Sequence, residues 1–207
     1  FKLVMVRSEH ITFAKKIIDD NSSNVLVGTV IDFPSGNLST EGKLDEISKA
    51  INLGADDIDV VINYDLFKKG DYVYIVNQVK ECTALCLSNN KTIKWIIESA
   101  ALSNNSIIEI CQLIRDVVIE NFGQINAHNV FVKSSTGFYV SPDSASNGAT
   151  VSAIKLMLDN SSPLPVKASG GIRNIKDFKT MVDLGVKRIG TSSAISIIQG
   201  KQSDSNY

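Results

Sequence analysis

The sequence predicts an α/β fold of parallel strand–helix units closed as a (β/α)8 TIM barrel, with the first strand of the barrel missing from the chain. Three observations lead there. Short β-branched runs alternate with longer amphipathic stretches from end to end, the mark of βαβ units and a parallel sheet. The strand candidates are continuous apolar runs rather than alternating ones, as strands covered on both faces require. The chemistry-bearing residues sit at the C-terminal ends of several different strands. That favours a barrel over an open doubly wound sheet, whose ligands gather at one switch point.

The strands are expected at Leu3–Val6, Val25–Ile31, Asp57–Asn63, Thr92–Glu98, Asn129–Ser134, Pro165–Ala168 and Lys187–Gly190. Seven are visible, so an eighth is expected before Phe1. Helices are expected at Asp45–Leu53 and Phe178–Leu184, stopped by Gly54 and Gly185, and at Asp71–Leu87, Ser106–Asn121 and Ala149–Asp159. Ser88-Asn89-Asn90 and Ser103-Asn104-Asn105 read as loops. An apolar, helix-like run covers Ala194–Ile198. Residues 1–207 are expected to form one N-terminally incomplete barrel domain, since 207 residues at 43% apolar suffice for a single core.

Composition excludes several function classes. A net charge of −1 gives no basic face for nucleic acid. No apolar run reaches the roughly 18–20 residues of a membrane span. Three cysteines, Cys82, Cys86 and Cys111, read as reduced thiols of a cytoplasmic protein rather than a disulfide framework. Cys82 and Cys86 could share a metal at their i, i+4 spacing, but a packed helix face is the better reading. His10 and His128 lack metal-ligand company, so no metal is expected.

The candidate site begins with charges in apolar strands. Asp59 lies within Asp57-Ile58-Asp59-Val60-Val61-Ile62, Lys133 follows Asn129-Val130-Phe131-Val132, and Lys167 follows Leu164-Pro165-Val166. A charge on a barrel interior is costly unless paired, and lysine is among the side chains least often buried. One explanation is structural: one lysine snorkels to the rim and the other pairs with Asp59. The other is chemical. An amine must be neutral to attack a carbonyl, and desolvation beside a second ammonium lowers its pKa. A carboxylate on a third strand can then exchange protons. The turns weigh for chemistry. Ser134-Ser135-Thr136-Gly137-Phe138, Ser169-Gly170-Gly171-Ile172-Arg173 and Gly190-Thr191-Ser192-Ser193 each follow a strand, and such glycine- and hydroxyl-rich turns suit an anion. Arg173 could assist a phosphate, although a rim salt bridge is the slightly preferred reading.

With Gly54–Asn63, Phe131–Phe138, Gly148-Ala149-Thr150, Val166–Arg173 and Arg188–Ser193 in view, the sequence resembles the deoxyribose-phosphate aldolases nearly from end to end. Asp32-Phe33-Pro34-Ser35-Gly36 and Ile96-Ile97-Glu98 are similar to two further family stretches. The resemblance implies a Schiff-base (class I) aldolase. Such an enzyme reversibly cleaves 2-deoxyribose 5-phosphate to acetaldehyde and glyceraldehyde 3-phosphate with no metal or organic cofactor. It implies Lys133 as the covalent amine, Lys167 as the lysine that perturbs it and joins the proton relay, and Asp59 as the acid/base. It implies that Thr136, Gly137, Gly170, Gly171, Ser192 and Ser193 hold substrate or its phosphate, with Lys94 behind them on a neighbouring strand. The only partner expected is a small phosphorylated sugar, and a homo-oligomer, in the simplest case a dimer, is compatible with this.

The sequence also departs from the family. Val4-Met5-Val6-Arg7-Ser8 stands where the family carries a Cys followed by Asn-Pro, and Tyr139–Asn147 is longer and more polar than expected. The alternative function is therefore a catalytically weak homologue acting as an interaction or regulatory module. A third reading is another phosphosugar aldolase of the same barrel class.

Overall fold

The computed structural model describes residues 1–140 and 148–201; the expected loop at Tyr139–Asn147 lies outside this set from residue 141 onward. Seven strands form one sheet in sequential order, every neighbouring pair parallel: β1 Leu3–Val6, β2 Leu26–Ile31, β3 Asp57–Val61, β4 Thr92–Ile96, β5 Val130–Lys133, β6 Val166–Ser169 and β7 Arg188–Gly190. Sequential parallel order is that of a (β/α)8 barrel, of which the described residues supply seven strands in a curled sheet. All seven strands lie where the sequence places them, to within a few residues at each end.

Among the described residues, eight α-helices cover the sheet: α1 Ile11–Asp20, α2 Thr40–Asn52, α3 Tyr64–Lys68, α4 Tyr72–Ser88, α5 Asn104–Phe122, α6 Val151–Ser161, α7 Ile175–Leu184 and α8 Ala194–Ile198. The side chains of Ser39, Asn63, Asp71, Ser103, Thr150 and Asn174 each accept a hydrogen bond from an amide in the first turn of the following helix. These caps satisfy donors that the helix itself cannot. Gly185 ends α7 at φ 103°, as expected of a stopping glycine.

Register decides which side chains share the barrel interior. Asp59 pairs with Lys94, Lys94 with Phe131, Lys133 with Lys167, and Lys167 with Arg188. Paired residues of neighbouring strands point to the same face, so these charges converge on the concave side. The intervening residues, such as Ile58, Val60, Trp95 and Val132, face the helices and are fully buried. Trp95 packs on α4 and donates its indole N–H to Thr83 Oγ1 at 3.1 Å. Cys82, Cys86 and Cys111 are free thiols buried on α4 and α5, as the packed-face reading expects.

Two differences from the sequence reading have physical causes. α1 was not expected: no side chain caps it, so it has no start signal, and only the Ile11, Ala14, Ile18 periodicity marks it. β3 stops at Val61 because Asn63 caps α3, accepting from the Leu66 amide at 3.0 Å.

Candidate active site

Asp59 organises the interior. Its Oδ2 accepts from Lys133 Nζ at 2.8 Å and from Lys167 Nζ at 2.7 Å, and its Oδ1 accepts from Lys94 Nζ at 2.9 Å. Lys94 also lies 2.7 Å from Asp57 Oδ2. All five side chains are buried. Two carboxylates thus face three amines, and with every amine protonated the cluster carries one positive charge in excess. Burial alone would raise the Asp59 carboxyl, but Lys133, Lys167 and Lys94 outweigh it and hold the group well below the usual carboxylate range. Lys94 goes the other way. Burial opposes its charge, yet Asp59 and Asp57 together raise its pKa and keep it cationic. Lys167 is the amine that gives way. Burial lowers it, Asp59 resists, and the charges of Lys133 and Lys94 add to the lowering, bringing it to about 7.

The local sequence makes room for this. Gly190 on β7 has no side chain; a Cβ there would stand 3.1 Å from Lys167 Cε. The bare glycine lets the lysine cross the interior to Asp59.

Lys133 and Lys167 open onto a cavity of about 690 Å³ that also bears Thr136, Gly170, Gly171 and Ser192. Its described walls carry Lys2, Arg7, Lys133, Lys167 and Arg188 and no carboxylate. A cavity with that lining attracts anions.

The turns divide into two kinds. After β5, the turn is tied down internally. Glu98 lies beyond the end of β4, almost fully buried, with φ at 50°. Its Oε1 accepts from Ser135 Oγ at 2.6 Å, and its Oε2 from the Thr136 amide at 3.0 Å and from the Thr136 hydroxyl. The Gly137 amide donates to Ser135 Oγ, and the Phe138 amide to Thr136 Oγ1. Ser134 and Ser169 clasp this turn to the next: the Ser134 hydroxyl donates to the Ser169 carbonyl and accepts from the Ser169 amide. After β6 and β7 the situation reverses. Among the described residues, no hydrogen bond engages the amides of Gly170, Gly171 or Ser192. The Gly170–Gly171 backbone is held from behind, where the Ala149 amide donates to the Gly170 carbonyl at 3.0 Å.

The DeoC/LacD family aldolase model matches residues 4–201. The chain belongs to this aldolase family. Among curated relatives, the deoxyribose-phosphate aldolase of Staphylococcus epidermidis is 40% identical over all of this chain and 86% of its own length. That of Mycoplasmopsis pulmonis is 36% identical over the same shares. Among solved structures, an aldolase named QR15 matches with a TM-score of 0.79 at 31% identity, over 96% of this chain and 80% of its own. A tetrameric deoxyribose phosphate aldolase from Aeropyrum pernix matches with a TM-score of 0.78 at 25% identity, over 96% and 76%.

In this aldolase the expected site residues fall into three places. Lys133, Thr136, Gly137, Lys167, Gly170, Gly171 and Ser192 line the cavity. Asp59 and Lys94 lie behind the two cavity lysines. Ser193 is buried off the cavity wall, its amide on Thr191 Oγ1 at 2.9 Å. Arg173 is exposed and also off the wall. Two participants escaped the sequence reading. Asp57 shares Lys94; its signal was the Asp57-Ile58-Asp59 spacing, which puts both carboxylates on one face of β3. Glu98 was noted only as part of a similar stretch, and a glutamate ending an apolar strand is the same signal that marked Asp59.

Proposed function

We propose that this chain is a class I deoxyribose-phosphate aldolase with Lys133 as the covalent amine. The observation that carries the reading is the sharing of one buried Asp59 oxygen by Lys133 and Lys167, side by side on the wall of a cationic cavity. The names of the curated relatives support a deoxyribose phosphate as the substrate, read here as 2-deoxyribose 5-phosphate. The alternative of a catalytically weak homologue acting as an interaction or regulatory module finds no support in a cluster with every amine partnered.

The excess positive charge of the cluster favours loss of one proton, which yields a neutral amine at neutral pH. Lys133 Nζ adds to the aldehyde carbon of the open-chain sugar, and water leaves to give an iminium. The C3 hydroxyl then surrenders its proton to Lys167 and Asp59 through bound water. The C2–C3 bond breaks, its electron pair passes into the iminium, and glyceraldehyde 3-phosphate departs. The remaining enamine is protonated at C2 by the same relay, and water releases acetaldehyde and the free amine. The unengaged amides of Gly170, Gly171 and Ser192 are the groups assigned to the phosphate, and Ser193 is assigned to holding their turn. The interior is Lys94's place, where its fixed charge biases the two working lysines. No metal or organic cofactor enters these steps.

We assign residues 1–207 to one barrel domain, and a cytoplasmic site suits three free thiols. A homo-oligomer, a dimer in the simplest form, is part of the proposal; the Aeropyrum pernix relative is tetrameric. No described helix is long and apolar enough to cross a membrane.

Acetaldehyde followed by borohydride should add one ethyl group, and peptide mapping should place it on Lys133. Absence of the adduct, or its appearance on Lys167 instead, would overturn the assignment. Identification of the products formed from a panel of aldehydes separates this activity from that of another phosphosugar aldolase.

A further inference from the structure

We infer that Glu98 fixes Thr136 as a hydrogen-bond acceptor toward the substrate, so that the site selects an aldehyde fragment carrying a hydroxyl beside its carbonyl. This deepens the aldolase reading and rests on it.

The inference starts from donors and acceptors. A threonine hydroxyl has one proton and two lone pairs, and its proton ordinarily turns to suit the ligand. At Thr136 that freedom is gone. The proton is given to Glu98 Oε2, which also takes the Thr136 amide. One lone pair accepts the Phe138 amide at 3.0 Å. A single lone pair remains, and Thr136 lies on the cavity wall. Toward a ligand it can only accept.

Position says which ligand group it meets. Thr136 stands three residues beyond Lys133 in the same turn. On its other side, a Cβ placed on Gly137 would lie 3.9 Å from Gly170 Cα, so the turn abuts the loop whose amides face the phosphate. A sugar tethered to Lys133 at one end and held by its phosphate at the other therefore passes Thr136 in between. In the aldehyde fragment the group between carbonyl and phosphate is the hydroxyl at its second carbon, a donor. An aldehyde with hydrogen in its place leaves the Thr136 lone pair unpaired, which costs about as much as a neutral hydrogen bond.

Glu98 itself is built for this one purpose. It is almost fully buried, it occupies the left-handed region, and its carboxylate receives three donors, all from the turn after β5. A non-glycine residue holds that backbone conformation at a cost, and structures keep it where the side chain is needed. The flanking amides extend the grip: Ile97 donates to the Lys133 carbonyl at 3.0 Å, and Ser99 to the Ser134 carbonyl at 2.8 Å. Glu98 does not line the cavity, so it acts through Thr136 and is a positioning residue.

The test is a ratio, which loss of folded protein does not move. In the condensation direction with acetaldehyde, kcat/KM is measured for D-glyceraldehyde 3-phosphate and for 3-oxopropyl phosphate, which lacks the second-carbon hydroxyl. The native chain should prefer the hydroxylated aldehyde by about tenfold, the worth of one hydrogen bond. Glu98→Asn keeps a residue that tolerates positive φ but shortens the side chain, and should bring the ratio near one. Thr136→Val should do the same. Glu98→Gln should retain the preference, because its amide oxygen can still face the two Thr136 donors. Borohydride trapping of acetaldehyde on Lys133 should persist in both Glu98 variants. An unchanged ratio in Glu98→Asn with trapping intact would overturn the role of Glu98 alone. Loss of trapping in the native chain would overturn the aldolase reading and this inference with it.

Discussion

Asp59 divides its oxygens unequally: one serves the buried amine of Lys94, the other serves the two amines that reach the cavity. Lys133 and Lys167 share that oxygen, and burial beside the charges of Lys133 and Lys94 brings Lys167 to about 7. Trapping by acetaldehyde and borohydride should therefore rise with pH up to about 7, and level off above it. A flat rate across that range would refute the charge argument. Stability should follow the same sign. Lys167 binds its proton less tightly in the folded chain than at its ordinary 10.5, so between about 7 and 10.5 the unfolded chain holds more protons. Folding is then favoured as pH rises through that window. Replacing Asp59 by Asn leaves three amines around a neutral amide. Urea unfolding should report a loss of about 3–5 kcal/mol, the range for breaking a buried ion pair.

The glycine turns are the elements whose shape the chemistry depends on. A Cβ on Gly148 would lie 2.2 Å from the Gly170 carbonyl oxygen, a distance no side chain tolerates. Gly148→Ala should therefore push the Gly170–Gly171 loop out of place. KM for a phosphorylated substrate should rise about tenfold, one misplaced hydrogen bond to an anion, while trapping on Lys133 is preserved. Much of this level was legible in the sequence. Continuous apolar runs located all seven strands, and charges within those runs located Asp59, Lys133 and Lys167. Glu98 was missed because its work depends on where its carboxylate points, and a strand pattern contains no information on a left-handed residue past the strand end. α1 and α3 were missed for a related reason: one lacks a capping side chain, and the other is only five residues long, too short for periodicity to register. Gly190 looked like turn punctuation; its work is to leave the space that Lys167 crosses.

At the scale of the whole molecule, a second buried charge pair braces the sheet beside the site. Lys43 of α2 is fully buried, lies 2.9 Å from Asp32, and donates to the carbonyls of Gly36 and Val61. It ties the loop after β2 to the end of β3, the strand that carries Asp59. Lys43→Met removes the charge and strands Asp32, and thermal unfolding followed by Trp95 fluorescence should show a loss of about 3–5 kcal/mol. Unchanged stability would mean that the loop finds other anchors.

Strand order also has a consequence in time. Each strand pairs with the next in sequence, so backbone pairing needs only one strand–helix unit of chain to be in hand. The proposed catalytic cluster obeys a different rule: Asp59 reaches Lys133 across 74 residues and Lys167 across 108. Its closure entropy is larger, and its contacts come after the local ones. Conservative truncations in β3 or β4 should slow refolding in stopped-flow experiments. Lys167→Met should leave the refolding rate near that of the native chain and act on the unfolding rate instead. A newly made chain would then gain its shape before its reactivity, holding the proposed nucleophile unarmed until the sixth strand is in place.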